Sequence, residues 1–413
     1  MPRHSFLHQF ESLILAIALS TLLISCGDSF RADSIDGANE LQSSESQPSE
    51  GGKEADPQNH QHSGQSQNQI NSTGVVPSAV FAEPSAQYSP SIMVDQWDHN
   101  KVKLWYCDYQ LGGGTDWDQV STRQASSLSQ IGWTPKTRAL SNRQLDSGQN
   151  GYSYDEGKYI CDPSVIRGYW NFSFQDPQGR LQQGPFGYAL YYTNNERSVE
   201  NRLGAMNVVR VAFSKDGFNW HKCSDCGPRR NGRIIEPEGS FTPGREEYGV
   251  GTQVAMSTDA GSGVRMVFFE VTNTGVYRHW VRHSKDGVNF GSRVLLNSKG
   301  LDQVSLPYPA IAIAPGHDGY YYLAKVSNQY QTISIFRIPH AGLTNSKYTW
   351  QKVAQTSSVV GYHMQTEPGF LTDSYGALVD RSPKTLFFAC STQKPQSIQG
   401  NPALTWDMCK AEF

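Results

Sequence analysis

From about residue 88 onward, short apolar runs alternate with turns rich in Gly, Asp, Asn and Pro, and amphipathic helical periodicity is nearly absent. The most apolar run recurs five times, at residues 103–109, 187–193, 265–271, 319–325 and 385–391. Another strand-like run precedes each one, at residues 90–94, 162–166, 252–256, 308–313 and 367–371. A third run follows each, and a fourth follows four of them, near Lys136, Arg233, Arg293 and Gln351. Two of the third runs end in nearly the same words: Ser214-Lys215-Asp216-Gly217-Phe218-Asn219-Trp220 and Ser284-Lys285-Asp286-Gly287-Val288-Asn289-Phe290. Asp-Gly after an alternating strand is a tight-turn signal, because glycine accepts positive φ and aspartate caps the turn. Asp216 and Asp286 are therefore read as structural. Repeated four-stranded units predict an all-β fold, a five-bladed β-propeller, which leaves few sheet edges exposed. The last unit lacks a fourth strand before Phe413, and residues 78–82 are expected to supply it and close the ring.

The chain ahead of the repeats has a different pattern. Leu13 to Ile24 is an apolar run broken only by Ser20 and Thr21, preceded by Arg3. It is too short for a permanent membrane helix and suits a secretory leader. The run ends in Leu23-Ile24-Ser25-Cys26-Gly27, which resembles a bacterial lipobox and implies lipidation of Cys26 after cleavage. With Gly27 after the cysteine, the expected place is the cell envelope, anchored to the outer membrane on its periplasmic or surface face. Residues 26–87 are rich in Ser, Gln, Asn, Glu, Gly and Pro and cannot bury enough apolar surface to offset ordering entropy. They read as a disordered tether, with His60-Gln61-His62 a solvated part of it. The expected division is thus residues 1–25 as lipoprotein signal peptide, 26–87 as tether, and 88–413 as the β-propeller.

Composition narrows the partners. The formal net charge is −3, which gives no basic footprint and argues against nucleic acid. Nine Trp and twenty Tyr suit packed sheets and stacking on sugars alike. Of seven cysteines, Cys26 goes to lipid, leaving an even set that suggests disulfides in an exported protein. Cys390 and Cys409 lie on consecutive expected strands. Cys223 and Cys226 form a CxxC with no second pair for a zinc site and no thioredoxin-like context, so a local disulfide is expected. Cys107 with Cys161 follows by elimination.

Asp162-Pro163-Ser164-Val165-Ile166 opening a unit, with Ser-Lys-Asp-Gly-x-Asn-Trp at its third-strand turn, resembles the five-bladed glycosidases of glycoside hydrolase families 43 and 32, which include β-xylosidases, arabinanases and fructosidases. The resemblance spans about residue 88 to the end. It implies hydrolysis of glycosidic bonds in a poly- or oligosaccharide, with the innermost strand of each blade delivering carboxylates to one mouth of a central funnel. Asp162 would be the general base that activates water. Glu367, with Pro368, holds a comparable strand-opening position and would be the general acid. An inverting pair stands about 6.5–9.5 Å apart, and the acid needs a raised pKa.

The third carboxylate of that family has no clear counterpart, since the intermediate inner strands open with Gln253 and with Tyr308-Pro309. Asp302, six residues before Tyr308, is one candidate to replace it. His363, four residues before Glu367, is a candidate pKa tuner, metal ligand or acid. Gln253, Tyr308 and Trp170 are candidate substrate contacts, with Gln365 as a further amide. Trp105, Trp170, Trp220 and Tyr308 could stack on sugars, or pack between blades. The resemblance implies no cofactor and is compatible with a structural calcium in the channel; the protein is expected to be a monomer. The competing reading is a non-catalytic carbohydrate- or partner-binding lipoprotein on the same fold. A sialidase-like reading fails because the residue between Asp and Gly in that family's turn motif is absent, and no inner strand opens with arginine.

Overall fold

The computed structural model describes residues 78–81, 86–109, 118–127, 132–141, 159–196, 206–238, 249–258, 263–271, 277–301, 310–327, 330–358, 361–392 and 406–413. The expected leader, Cys26 and most of the tether lie outside these residues. The described part is all-β, with one 3-10 turn at His340–Gly342.

Strand β1 (Ser78–Phe81) precedes the first unit, which comprises β2 (Ala86–Asp95), β3 (Lys101–Tyr109), β4 (Asp118–Ala125) and β5 (Thr137–Leu140). The second unit starts with β6 (Tyr159–Trp170), carries a small hairpin of β7 (Ser173–Gln175) and β8 (Leu181–Gln183), and continues through β9 (Phe186–Glu196), β10 (Met206–Ser214) and β11 (Trp220–Lys222). The third holds β12 (Gly249–Thr258), β13 (Gly263–Val271), β14 (Tyr277–Ser284) and β15 (Val294–Leu295). The fourth holds β16 (Ile311–Pro315), β17 (Tyr320–Ser327), β18 (Thr332–Pro339) and β19 (Gln351–Gln355). The fifth holds β20 (Met364–Thr372), β21 (Thr385–Ser391) and β22 (Asp407–Glu412). Each unit is an antiparallel meander, and β1 pairs with β22 as the outermost strand of the fifth. The chain's first described strand therefore completes its last unit, as the pattern around Ser78 anticipates.

Five apolar clusters stand one at each junction between neighbouring units. Trp105, Ile160, Leu190 and Tyr192 join the first unit to the second. Trp170, Phe213, Val250 and Phe268 join the second to the third. Val267, Ile313, Leu323 and Trp350 join the third to the fourth, and Ala324, Ile335, Phe370 and Phe388 the fourth to the fifth. Ile92, Tyr106, Leu371 and Phe387 close the circle between the fifth and the first. This is the arrangement of a five-bladed propeller, whose sheets bury both faces against neighbours. The first and fifth inner strands come so close that a Cβ on Gly369 would lie 2.1 Å from the Pro90 carbonyl oxygen. Only glycine fits there.

One strand differs from expectation. The outer strand of the second unit is β11, not a strand near Arg233; there Ile235 makes only a single bridge to Val209. The chain between them is diverted by the Cys223–Cys226 disulfide and by Gly227 at φ 86°, where a Cβ would meet the Arg233 carbonyl at 2.0 Å. All three expected disulfides are present: Cys107–Cys161, Cys223–Cys226 and Cys390–Cys409.

Candidate active site

The inner strands of four units share one irregularity. Ladder register breaks between Tyr88 and Ser91, Cys161 and Ser164, Gly251 and Val254, and Thr366 and Gly369. Within each break one non-glycine residue takes positive φ: Ser89 at 49°, Asp162 at 48°, Thr252 at 42° and Glu367 at 50°. Such angles are uncommon outside glycine and costly for a β-branched residue such as Thr252. Three of the four precede a proline, Pro90, Pro163 and Pro368. Proline has no N–H to give the ladder, so pairing is already interrupted there, and a bulge re-aims the neighbouring side chain. All four residues line one pocket at the centre of the ring, together with Ala310 to Ile313 of the fourth unit. Its interior is about 70 Å³, room for a few waters.

Asp162 and Glu367 meet in this pocket. Ser89 Oγ lies 2.8 Å from Asp162 Oδ1 and 2.6 Å from Glu367 Oε2. A hydroxyl has one proton to donate. If Ser89 donates to one carboxyl, the other contact needs a proton from its own carboxyl. Burial and the adjacent Asp162 charge push Glu367 up to about 8, which makes Glu367 the protonated member. The two carboxyl oxygens are therefore separated by no more than two short hydrogen bonds end to end. That is closer than the about 6.5–9.5 Å at which an inverting pair holds a water.

Asp162 is fixed from several sides. Its Oδ2 accepts the Thr252 N–H at 3.3 Å, and its own N–H points at Cys107 Sγ at 2.9 Å. The Cys107–Cys161 disulfide ties β3 to β6 immediately before it. Gln253 donates its Nε2 to the Asp162 carbonyl oxygen, while its Oε1 accepts from Thr193 Oγ1 at 2.9 Å. Both ends of the Gln253 amide are thus engaged in holding the bulge. Asp118, at the start of β4, belongs to the same electrostatic group. Burial, then the charges of Asp162 and Asp108, push it up to about 7 against a hydrogen bond from Tyr88. Burial first, then Asp118 and Glu367, raise the Tyr88 phenol well above its ordinary range.

The other candidates fall elsewhere. His363 is exposed, donates its N–H to the Ser391 carbonyl, and is absent from the pocket lining. Trp170 is buried in the junction between the second and third units, 5.7 Å from Phe213 between ring centroids, so no sugar can reach its face. Trp105 and Trp220 pack edge to face on each other. Gln365 is a buried strut that donates to the Gln331 and Ser357 carbonyls. Tyr308 and Asp302 lie outside the described residues. Calcium needs about 6–8 oxygen ligands. In the described lining the two carboxyls are joined through Ser89, and Ser91 and Ser164 accept backbone N–H groups.

Sequence reasoning missed Ser89, Thr252 and Asp118. Ser89-Pro90 repeats the same residue-before-proline signal as Asp162-Pro163 and Glu367-Pro368, and Thr252 precedes Gln253 at the matching place in the third unit. Asp118 carries no such mark, because it sits on a third strand.

No family model matches the sequence, and no curated protein matches it. Solved structures do resemble the fold. An α-L-arabinofuranosidase from Lactobacillus brevis is 11% identical with a TM-score of 0.51, over 81% of this chain and 93% of that one. A GH43_1 enzyme from Xanthomonas citri complexed with xylotriose is likewise 11% identical at a TM-score of 0.51, over 82% and 89%. At such identities the likeness shows a shared fold.

Proposed function

We propose that the domain hydrolyses glycosidic bonds of a poly- or oligosaccharide at the channel mouth, with Glu367 as the acid and Asp162 as its ionised partner. The observation that carries this reading is the Ser89 hydroxyl held between the two carboxyls, which requires them to differ in protonation. The channel has room for waters and none for a sugar ring, so the scissile bond lies over the mouth. There the Glu367 proton passes to the glycosidic oxygen as its bond to the anomeric carbon breaks. The close spacing favours attack on that carbon by Asp162 itself, since retaining pairs stand about 5–5.5 Å apart. A water deprotonated by Glu367 then displaces Asp162 and restores both groups. The test is Asp162→Asn, with turnover followed on arabinan and xylan fragments and the first-formed anomer read by NMR. Abolished turnover and a retained anomer in the parent are expected. Undiminished turnover in Asp162→Asn would sink the assignment.

A second reading is sugar binding without cleavage. It is favoured by the neutral side chains, Ser89 and Thr252, at two of the four equivalent bulges. Binding by the parent with no released product, on any of these glycans, would select it.

The proposal includes a lipid anchor at Cys26 in the outer membrane, supported by the apolar run ending at Leu23 to Gly27. Cys26→Ser should abolish palmitate labelling and move the protein to the soluble fraction; unchanged labelling would remove the anchor.

A further inference from the structure

At the end of the blades away from the channel mouth, the first two units expose large aromatic residues. Trp97, in the turn after β2, is 66% exposed, Tyr169 near the end of β6 is 67% exposed, and Phe218 in the turn after β10 is 41% exposed. Scattered apolar residues need no explanation, but Trp97 and Phe218 stand over one buried ionic group. Asp95, fully buried, accepts from Lys103 Nζ at 2.8 Å, from Arg167 Nη1 at 3.1 Å, from the Tyr188 hydroxyl and from the Trp97 N–H at 3.1 Å. One carboxylate therefore fixes both the backbone of Trp97 and the guanidinium beneath its ring, whose Cζ lies 5.7 Å from the ring centroid. Lys103 Nζ reaches toward the Phe218 ring at 5.2 Å, so the same group underlies both aromatics.

The polar part of this surface is unbalanced. Asp95 and Asp98 face Lys101, Lys103 and Arg167, which leaves one cation in excess. Lys215, over the Phe186 ring, is offset by Asp216 beside it in the same turn. Arg167 spends only Nη1 on Asp95 and on the Tyr188 oxygen, and its Nε and Nη2 have no protein acceptor among the described residues. Gly187 leaves room for the guanidinium, since a Cβ there would stand 3.3 Å from Nη2. A solvent-facing tryptophan beside a partly exposed guanidinium with unspent N–H groups matches a sugar ring that carries a carboxylate. The ring stacks on the indole, and the carboxylate takes the fork of N–H groups.

We infer that this face is a second carbohydrate-binding surface, specific for uronate-bearing glycan chains and separate from the channel mouth. It deepens the glycosidase reading by naming an acidic polysaccharide as the material held, and its test is independent of turnover. The full chain is run by affinity electrophoresis through gels containing polygalacturonate or, separately, neutral arabinan. Retardation by polygalacturonate is expected, weakened by high salt and reduced about tenfold or more by Trp97→Ala, with arabinan giving none. Arg167→Lys, checked by its melting curve, is expected to lose the same retardation, because an ammonium cannot supply the fork. Binding that Trp97→Ala leaves unchanged, equal retardation by arabinan, or no retardation of the parent would each overturn the inference. Hydrolysis of small soluble substrates should be the same in Trp97→Ala and the parent. If the parent hydrolyses nothing yet shows Trp97-dependent retardation, the glycosidase reading fails and this surface stands.

Discussion

The two ends of the propeller blades treat carboxylates in opposite ways. In the turn that follows β10, burial would raise Asp216, but N–H groups of Asn219 and Phe218, with the Asn219 amide and Ser214 hydroxyl, hold it down at about 2. Asp286 in the matching turn of the third unit is lowered by the same set of donors against the same opposition. In the buried group around the central pocket, Glu367 and Asp118 go the other way, to about 8 and about 7, because burial and neighbouring carboxylates outweigh the few donors. A carboxylate surrounded by donors shapes a turn; one buried and crowded by like charge keeps a proton it can give away. The residue type is shared, and the count of donors decides the role.

Glu367→Gln breaks the comparison most severely. If Glu367 is the acid, kcat should fall about 10²–10⁴-fold. The parent's activity should decline as pH rises through about 8, and activity equal to the parent would refute the role. The same variant reports on stability. The Glu367 pKa is raised from 4.5 to about 8 on folding, so its contribution is full at low pH and is lost as pH rises between those values. Melting temperature followed from pH 4 to pH 9 should therefore decline less in Glu367→Gln than in the parent; parallel curves would contradict a buried, protonated Glu367. The smallest effect belongs to the other end. Asp216 is lowered from 3.8 to about 2, so its stabilisation is present above the higher value and disappears as pH falls toward the lower. It is exposed, and Asp216→Ala should cost about 1 kcal/mol, a melting shift of about 2 °C, with turnover unchanged. Lost turnover in that variant would mean the turn end is not merely structural.

Much of the scaffold is readable along the chain. Continuous apolar runs at 103–109 or 265–271 suit strands that bury both faces between stacked sheets, and Asp-Gly after a strand permits little besides a turn. The circular closure is readable too, because a last unit one strand short needs a partner and Ser78–Phe81 is the apolar segment free to give it. Asp162 and Glu367 are marked by the proline after each. Trp170 misleads, because an aromatic at a strand end looks the same whether it faces sugar or the next blade. His363 misleads for a similar reason: it stands just before β20, and the bulge that holds Glu367 breaks the spacing by which the two would share a face.

The sequence by itself determined most of the strands and their turns, since these depend on local pattern and on spacing along the chain; the outer strand of the second unit escaped it. Tertiary structure alone decided that Ser89 stands between Asp162 and Glu367, whose positions are separated from it by 73 and 278 residues. It also decided that Asp118 joins them and that Asp95 fixes Trp97 beside Arg167 on the far face. Proton affinity depends on what surrounds a group in space, and those surroundings come from strands of different blades that meet only when the ring closes.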